Sequence, residues 1–382
     1  MRVKLKDAFN LQMGKTPSRA DLSLWGGNNK WISIADIGSA KKYISSTKEC
    51  ITDEGVSRSG IKVVPNGTVI MSFKLSIGKT AIVSEDMYTN EAIMAFIDNG
   101  TYCIDPNYLY HLCCGTDWTQ GGNKAVMGLT LNKATLSEME IELPTIEEQR
   151  EIASILDQLD AIIEKRHDEL NMIEQLVKSR FIELFESGNY PVCRLGDVCS
   201  KITDGTHKTP NYLDAGVTFI SAKNIVNGEL DFSDVKYISD QEYAEIQKRC
   251  QTEMGDILLS KSGSLGAPVI VKTTERIGLF ESLAVIKYDR SKLLPAFLCE
   301  QLKSDRIQRQ FKVGTKGVAI KHLHLGVIAD TDIVVPPIED QNAFAAFVEQ
   351  TDKSKFFACQ TLSFLLKLAN NLQSWREKQY DY

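Results

Sequence analysis

The chain has 382 residues, of which 43% are hydrophobic and 25% charged, and its formal net charge is −6 at pH 7. One core rarely organises so many residues, so this length predicts two domains with connecting segments. The composition is that of ordinary globular proteins and excludes disordered, collagenous and fibrous classes. No apolar run approaches the roughly 18 residues of a membrane helix, and residues 1–8 lack a signal-peptide core, so we expect a cytoplasmic protein.

The most informative feature of the sequence is an internal repeat. Motifs of the first half recur in the same order in the second half: Leu5-Lys6-Asp7 as Leu195-Gly196-Asp197, Lys15-Thr16-Pro17 as Lys208-Thr209-Pro210, Gly67 to Ser72 as Gly255 to Ser260, and Pro144 to Gln149 as Pro336 to Gln341. The last pair, Pro-x-Ile-Glu-acid-Gln, is typical of a helix start, with proline outside and acids in the first turn. The repeat predicts four segments: a globular part at 1–145, a helix at 146–188, a globular part at 189–337 and a helix at 338–382.

Both helical segments show coiled-coil periodicity. Apolar residues recur every three or four positions from Ile152 to Leu184, and again from Phe344 to Ala369, where Thr351 and Lys355 interrupt them. Helices of roughly 35 to 40 residues would each span about 50 to 60 Å. Each helix must bury its apolar stripe, and the helix of the other repeat is the simplest partner. Two separate core helices are the alternative. A two-fold relation between the repeats would make the pair antiparallel, with the globular parts at opposite ends.

The globular parts contain short β-rich runs between glycine, lysine and serine turns, as at 69–73 and 81–84 in the first part and 257–260, 269–272 and 283–288 in the second. Pro106 and Pro295 are expected in the first turns of helices. We therefore predict an α+β fold in which two globular domains are separated by a pair of long antiparallel coiled-coil helices, with an internal pseudo-two-fold repeat.

Enzyme motifs are incomplete throughout the chain. Gly78-Lys79-Thr80 resembles the end of a phosphate-binding loop, but Phe73 stands where that loop requires glycine. Asp105-Pro106-Asn107-Tyr108 resembles the D-P-P-Y element of amino-methyltransferases, but asparagine occupies its third position and no glycine-rich cofactor motif precedes it. The five histidines do not suggest a catalytic triad. We assign no catalytic residue.

The cysteines and histidines do not suggest a metal site either. The nine cysteines form no C-x-x-C pair and are expected to be reduced core residues. His322 and His324 are spaced as on a strand but have no nearby acidic partners in the sequence, so we assign no metal.

The negative charge is concentrated in one segment. Residues 146–188 hold 11 acidic and 5 basic side chains, whereas each of the other three segments is within one charge of neutral. The net charge therefore does not exclude a nucleic-acid partner. A basic stretch in the second globular part could follow phosphates, although a solvated helix face is the alternative: Lys303, Arg306, Arg309, Lys312, Lys316 and Lys321.

The order, spacing and repetition of three motifs resemble the specificity subunit of type I restriction-modification systems: Asp204-Gly205-Thr206-His207-Lys208-Thr209-Pro210, Gly255 to Ser260, and Pro336 to Gln341 before a helix. The resemblance covers essentially the whole chain. In the first repeat, Leu11-Gln12-Met13-Gly14 stands before Lys15-Thr16-Pro17 in place of the Asp-Gly-Thr-His stretch.

The resemblance implies two target recognition domains, each followed by a helical region, and no active site. It also implies docking of two methyltransferase subunits, with motor-nuclease subunits in the full enzyme, and S-adenosylmethionine bound by the methyltransferase and not by this chain. Two unlike domains at the ends of a stiff spacer would read the two halves of a double-stranded DNA target in inverted orientation. A non-catalytic, protein-binding scaffold with a coiled-coil spacer is the alternative.

Polarity, turn position and repeat equivalence select the candidate DNA-binding residues. In the first domain they are Lys15, Thr16, Lys74, Ser76, Lys79, Asn123 and Lys124. In the second they are His207, Lys208, Thr209, Lys223, Asn224, Lys261, Ser262, Ser264, Thr315, Lys316 and Lys321.

The second helical segment has more apolar residues than one seam would cover. Its remaining ones suggest a surface that docks a partner, or else packs on the globular domains: Phe347, Phe356, Phe357, Phe364 and Leu368.

Overall fold

The computed structural model describes residues 1–74, 76–118, 131–226, 228–315 and 322–378, and the side chains of the last helix as far as Ala369. The chain divides into two compact units. The first holds residues 1–166 and the chain from Thr361 onward, and the second holds residues 167–360.

The first unit contains a mixed sheet and two smaller ones. Its strands are β1 (Arg2–Lys4), β2 (Phe9–Met13), β3 (Trp25–Ile32), β4 (Tyr43–Ile44), β5 (Glu49–Ile51), β6 (Val69–Ser72), β7 (Thr80–Val83), β8 (Tyr88–Thr89), β9 (Ile93–Asp98) and β10 (Glu140–Glu142). Its helices are α1 (Leu5–Ala8), α2 (Ile34–Ser39), α3 (Asp53–Ser59), α4 (Pro106–Gly115), α5 (Lys133–Glu138) and the first part of α6 (Ile146–Phe181). The strand orders are β2-β9-β6-β7-β4, β5-β3-β8 and β1-β10.

The second unit repeats this plan. Its strands are β11 (Val192–Arg194), β12 (Cys199–Asp204), β13 (Val217–Ile220), β14 (Ile225–Val226), β15 (Glu229–Leu230), β16 (Lys236–Ile238), β17 (Ile257–Ser260), β18 (Pro268–Ile270), β19 (Ile277–Leu279), β20 (Leu283–Tyr288) and β21 (Asp332–Val334). Its helices are α7 (Asp240–Arg249), α8 (Pro295–Lys303), α9 (Asp305–Gly314), α10 (Leu325–Ala329) and most of α11 (Ile338–Lys378). The strand orders are β12-β20-β17-β18, β16-β13-β19, β11-β21 and β14-β15.

The central strands are buried on both faces, which explains why they read as continuous apolar runs. In β6 the alternation of side chains places Val69 and Met71 in one core cluster and Ile70 in another. In β17, Ile257 and Leu259 likewise face one cluster and Leu258 the other. The predicted strands and the first-turn prolines of α4 and α8 are confirmed, as is the α+β fold.

A buried glutamine marks the repeat near the start of each long helix. The side-chain amide of Gln149 donates to the Cys103 and Pro144 carbonyls, and its oxygen accepts from the Asp105 N–H at 2.9 Å. Gln341 makes the same three bonds, to Lys292, Pro336 and Leu294. Each glutamine thus ties the start of its long helix to the loop before α4 or α8.

The two units differ at one edge of the main sheet. In the first unit β4 adds to the edge in parallel with β7, with Tyr43 opposite Ile82. In the second unit the corresponding stretch of chain, after β13, folds into the β14–β15 hairpin, and β18 ends the sheet.

The predicted long helices are confirmed, with 36 residues in α6 and 41 in α11. Thr145 caps α6: its hydroxyl accepts from the Glu148 N–H at 3.3 Å, and the Glu148 carboxylate accepts from the Thr145 N–H at 2.9 Å. Within the second unit the two helices run antiparallel. Phe181 packs edge-to-face against Phe344 with ring centroids 5.6 Å apart, and Glu174 pairs with Lys355 at 2.6 Å.

The polar interruptions of the second seam are accommodated in two ways. Thr351 is buried, and its hydroxyl donates to the Val348 carbonyl of its own helix at 2.8 Å. Lys355 is neutralised by the ion pair with Glu174 on α6. Neither residue therefore leaves an unsatisfied polar group in the seam.

The expectation that the cysteines lie in the core is wrong for several of them. Cys113, Cys250 and Cys299 are buried, but Cys103, Cys114 and Cys359 are exposed, and all nine are free thiols. Among the described residues, no helix is long and apolar enough to cross a membrane, and no cluster of three or more histidine, cysteine or acidic side chains could hold a metal ion.

Candidate nucleic-acid interface

Three segments meet in the second domain at the end of its main sheet: the 205–210 loop after β12, the 260–267 loop between β17 and β18, and the 279–283 turn between β19 and β20. The Thr206 N–H donates to the Leu279 carbonyl at 2.9 Å, and the Lys261 N–H to the Ser282 carbonyl at 2.7 Å. The first domain has the same arrangement. There the Lys15 N–H donates to Thr89 at 2.9 Å and the Phe73 N–H to Ala92 at 3.0 Å.

These hydrogen bonds correct the alignment of the two repeats. A Cβ atom on Gly205 would collide with the Leu279 carbonyl oxygen, and one on Gly14 with the equivalent Thr89 oxygen. Both positions therefore require glycine because another strand passes too close for a side chain. Gly14 corresponds to Gly205 and Met13 to Asp204, so the first repeat keeps this glycine, and the second has two extra residues before its Thr-Pro pair.

A serine shapes the loop that follows the central strand in both domains. The Ser260 hydroxyl donates to the Ser264 carbonyl and accepts from the Ala267 N–H at 2.9 Å. The Ser72 hydroxyl does the same with Ser76 and Lys79. The two loops thus share one backbone framework and carry different side chains.

A buried acid connects the loops of the second domain. The Asp204 carboxylate, 3% exposed, accepts hydrogen bonds from the Lys261 ammonium and the Arg249 guanidinium, and His207 Nε2 lies 3.3 Å from it. Burial alone would raise the pKa of Asp204. The hydrogen bond from Lys261 and the charges of Lys261 and Arg249 outweigh burial and hold this pKa below its usual value, so the carboxylate stays ionised.

A second acid lies on the 279–283 turn. Glu281 Oε2 is 3.6 Å from His322 Nε2 and 3.9 Å from both His207 Nδ1 and the Lys261 ammonium. The backbone carbonyl of Glu281 also accepts from Lys261 at 3.0 Å. Lys261, on the 260–267 loop, therefore connects the end of β12 with the 279–283 turn through its buried ammonium group.

The first domain builds the same framework with different chemistry. Met13 and Phe73 stand where the second domain has Asp204 and Lys261, and Phe73 is buried. Glu91 corresponds to Glu281, and its carboxylate accepts from the hydroxyl of Thr16, which corresponds to His207. The two domains therefore present unlike groups from one scaffold.

An open pocket lies beside the loop of each domain. The first, about 450 Å³, lies between residues 13–18 and the end of α3, with Arg58 in its wall. The second, about 420 Å³, lies between residues 205–210 and α7, with Arg249 in its wall. Each domain thus has a surface recess with hydroxyl, lysine and arginine groups at its rim, which are donors suited to phosphates and base edges.

The predicted residues occupy three kinds of environment. The exposed ones are Lys15, Ser76, Lys79, His207, Lys208, Thr209, Lys223 and Ser264. The half-buried ones are Thr16, Lys74 and Ser262. Asn123, Lys124, Lys316 and Lys321 lie outside the described residues.

Three of the predicted residues are buried and bonded within the protein. Lys261 holds Asp204, the Asn224 side chain binds the carbonyls of Asp231 and Asp234, and the Thr315 hydroxyl binds its own helix. In this conformation they position the surface loops and do not themselves present groups to a ligand. We therefore expect these three side chains to support the surface loops, whereas the sequence had suggested that they contact DNA.

Sequence reasoning missed the acidic and arginine residues of the site. Asp204, Arg249 and Glu281 form the second-domain network, and Glu91 and Arg58 occupy similar places in the first. Extending the repeat alignment through Asn90-Glu91-Ala92 and Phe280-Glu281-Ser282 would have shown the shared acid. Nothing local to Arg249 connects it to Asp204, 45 positions earlier.

The predicted partner-binding residues of α11 are mostly at the surface. Phe356, Phe357 and Phe364 are 59 to 66% exposed, and Leu368 is 38% exposed. Phe347 is half-buried and packs on Phe344 with a centroid distance of 6.5 Å. α11 therefore has an apolar surface outside its buried seam.

Comparison with known proteins agrees with this architecture. The family of the type I restriction modification DNA specificity domain matches residues 1–175 and 188–358. The MjaIX specificity subunit of Methanocaldococcus jannaschii is 25% identical over 375 residues, which cover 91% of this chain and 85% of that protein. The EcoR124I/EcoR124II specificity subunit of Escherichia coli is 27% identical over 157 residues, or 39% of this chain and 38% of that one.

Solved structures show the same fold. The S subunit of a type I restriction-modification system from M. genitalium aligns with a TM-score of 0.54 at 15% identity, over 98% of this chain and 94% of that chain. A chain from a structural study of complex assembly and conformational transition in the type I R-M system aligns with a TM-score of 0.61 at 19% identity, over 98% and 96%.

The chain belongs to the family of type I restriction-modification DNA specificity subunits, with one specificity domain in each repeat. It is thus the non-catalytic, DNA-recognising member of a restriction-modification complex.

Proposed function

We propose that each domain reads one half of a split DNA target through the loops described above, and that the long helices set the gap between the halves. The observation that carries this proposal is the shared loop framework with unlike side chains: at the surface Thr16 in the first domain corresponds to His207 in the second, and beneath the loops Phe73 corresponds to Lys261. A common framework would approach DNA similarly, whereas unlike groups would select different bases. Lys15, Lys79, Lys208 and Lys223, which are exposed, would bind phosphates or base edges.

The partners in this proposal are two methyltransferase subunits, with motor-nuclease subunits in the full restriction complex. The exposed phenylalanines of α11 supply an apolar surface for docking. The chain itself binds no cofactor, and S-adenosylmethionine is bound by the methyltransferase. The complex acts in the cytoplasm, where the DNA is accessible.

Methylome sequencing tests this function. A host carrying this chain with its methyltransferase should acquire methylation at two short motifs separated by a fixed number of unread bases. Replacing residues 189–337 with the second domain of another specificity subunit should change one of the two motifs and leave the other unchanged. A continuous methylated motif, or a change in both halves, would contradict the proposal.

A further inference from the structure

Arg249, the last residue of α7, lies in the wall of the second-domain recess and is held there by a buried acid. Its Nη2 group donates to Asp204 Oδ1, and the arginine side chain is 55% exposed whereas that of Asp204 is 4% exposed. No other hydrogen bond of this guanidinium lies within the described part of the chain, so most of its five N–H groups are available to a ligand. The acids that line the same recess are engaged elsewhere: Glu242 accepts from a backbone N–H at 2.9 Å, and Glu245 pairs with Lys248 at 2.6 Å.

The acid beneath Arg249 is itself fixed in place. Asp204 Oδ2 accepts from the buried Lys261 ammonium, which also donates to the Glu281 carbonyl at 3.0 Å. Because Asp204 stays ionised, its bond to the guanidinium is charge-assisted, and such a bond is stronger than one between neutral groups. Arg249 is therefore an exposed donor group with a fixed orientation, which reduces the entropy that it loses on binding a ligand.

A similar arrangement at the opposite end of β17 serves only to hold a turn together. Arg290 Nη2 donates to the buried Asp256 at 3.2 Å, and Asp256 also pairs with Lys287 at 2.7 Å. The same Nη2 group donates to the Met254 carbonyl at 2.9 Å. Asp256 comes just before β17, whereas Arg249 lies beside the loops at the other end of that strand. Arg290 thus provides a matched control, with the same kind of buried acid but no place beside those loops.

The arginine of the first recess is held differently. Met13 stands in place of Asp204, and Arg58 pairs with Asp21 at 2.9 Å and with Glu54 at 3.3 Å. The side chains of these two acids are 32% and 58% exposed, so Arg58 is bound to acids at the surface and not to a buried one. The inference from Arg249 therefore concerns the second domain alone.

We propose that Arg249 selects a guanine in the half of the DNA target that the second domain reads. In the major groove, guanine presents two neighbouring acceptors, N7 and O6, and a guanidinium can donate to both of them at once. Its planar, forked donors fit this pair better than the single ammonium group of lysine does. Asp204 and Lys261 are positioning residues, because they hold the guanidinium and are themselves buried. This inference rests on the proposed function, since it assigns a base contact to the second domain.

Base analogues in defined duplexes test this contact. Methylome sequencing gives the target, and the domain replacement described above identifies the half that the second domain reads. Each guanine of that half is then replaced in turn with 7-deazaguanine, which lacks N7 but still pairs with cytosine, and binding by the assembled complex is measured by mobility shift. We expect at least one replacement to weaken binding about tenfold, because one of the two hydrogen bonds to guanine is lost. If no replacement weakens binding, the proposal is wrong.

Protein variants assign the effect to Arg249. Arg249→Met removes the donors but keeps an apolar stem, and this variant should bind the natural duplex and the sensitive 7-deazaguanine duplex equally well. Arg290→Met, the matched control, should keep the difference of about tenfold. Asp204→Asn weakens the hold on the guanidinium and should give an intermediate difference. Circular dichroism melting monitors folding of each variant.

The outcomes separate this inference from the proposed function. If folded Arg249→Met keeps the full difference between the two duplexes while the methylated target is still split, the guanine contact is refuted and the proposed function stands. If the methylated target is one continuous motif, the proposed function itself is contradicted.

Discussion

Asp204 and Lys261 form a buried ion pair that the second domain has and the first domain lacks. Both side chains are buried, so their charges are removed from water and each depends on the other. At the same places the first domain has Phe73, which is buried, and Met13, which is 43% exposed, so it has no charge there. Replacing one member of a buried ion pair is costly, whereas replacing both with apolar residues of similar size is often tolerated.

Lys261→Met should therefore destabilise the second domain by about 3 kcal/mol, because Asp204 loses its buried cationic partner and keeps Arg249, whose side chain is largely exposed. The double variant Asp204→Met with Lys261→Phe, which copies the first domain, should recover most of that loss. Urea unfolding followed by circular dichroism measures both. A double variant as unstable as the single one would show that Asp204 is needed for other contacts, such as those with Arg249 and His207.

Lys208 has the opposite role, since its side chain is exposed on the 205–210 loop. Lys208→Ala should leave the melting temperature unchanged and weaken DNA binding by the assembled complex. If Lys208 neutralises one phosphate, the slope of log K against log salt should fall by about one unit. Lys292→Ala, on an exposed loop before α8, is the matched control. A salt slope unaffected by Lys208→Ala would exclude a phosphate contact.

At the scale of elements, the contact between α4 and α6 in the first unit depends on a buried histidine. His111 Nε2 lies 2.7 Å from Asp157 Oδ1, and the histidine side chain is 4% exposed. Burial lowers the pKa of His111 below its usual value, and this outweighs the hydrogen bond with Asp157, which would raise it. The folded state therefore favours neutral imidazole.

This pKa shift makes stability depend on pH. Because the unfolded chain binds a proton near pH 6.5 and the folded chain only at lower pH, stability is full above about 6.5 and falls as the pH decreases below it. We expect the melting temperature to drop between pH 7.5 and 5.5, and His111→Gln to flatten that dependence. His167→Gln, an exposed histidine of α6, should not change it. An unaltered profile in His111→Gln would assign the pH dependence to other groups.

At the scale of the whole molecule, the two long helices are the elements whose length the proposed function uses. Inserting seven residues after Arg166 and seven after Gln360 lengthens both helices by two turns, or about 10 Å. If the helices set the gap between half-sites, the unread spacer should grow by about three base pairs while both half-sites keep their sequence. Methylome sequencing reads both quantities. A spacer that does not change would mean that other parts of the complex set the gap.

The sequence alone determined the features that local pattern or repetition encodes. The 3.5-residue periodicity and the Pro-x-Ile-Glu-acid-Gln helix start defined α6 and α11, the buried strands appeared as apolar runs, and the recurring motifs revealed the duplication and the family. Each of these signals lies within a few residues of the chain, or is written twice in it.

Only the tertiary structure decided which groups meet across long separations. It paired Asp204 with Arg249 and Lys261, matched Gly14 with Gly205, and placed Lys261, a candidate for DNA contact, in the interior. It also showed that β4 extends the main sheet of the first domain, whereas the corresponding stretch of the second domain forms the β14–β15 hairpin. Burial and strand pairing depend on what packs against a residue, and neighbours in sequence do not specify that.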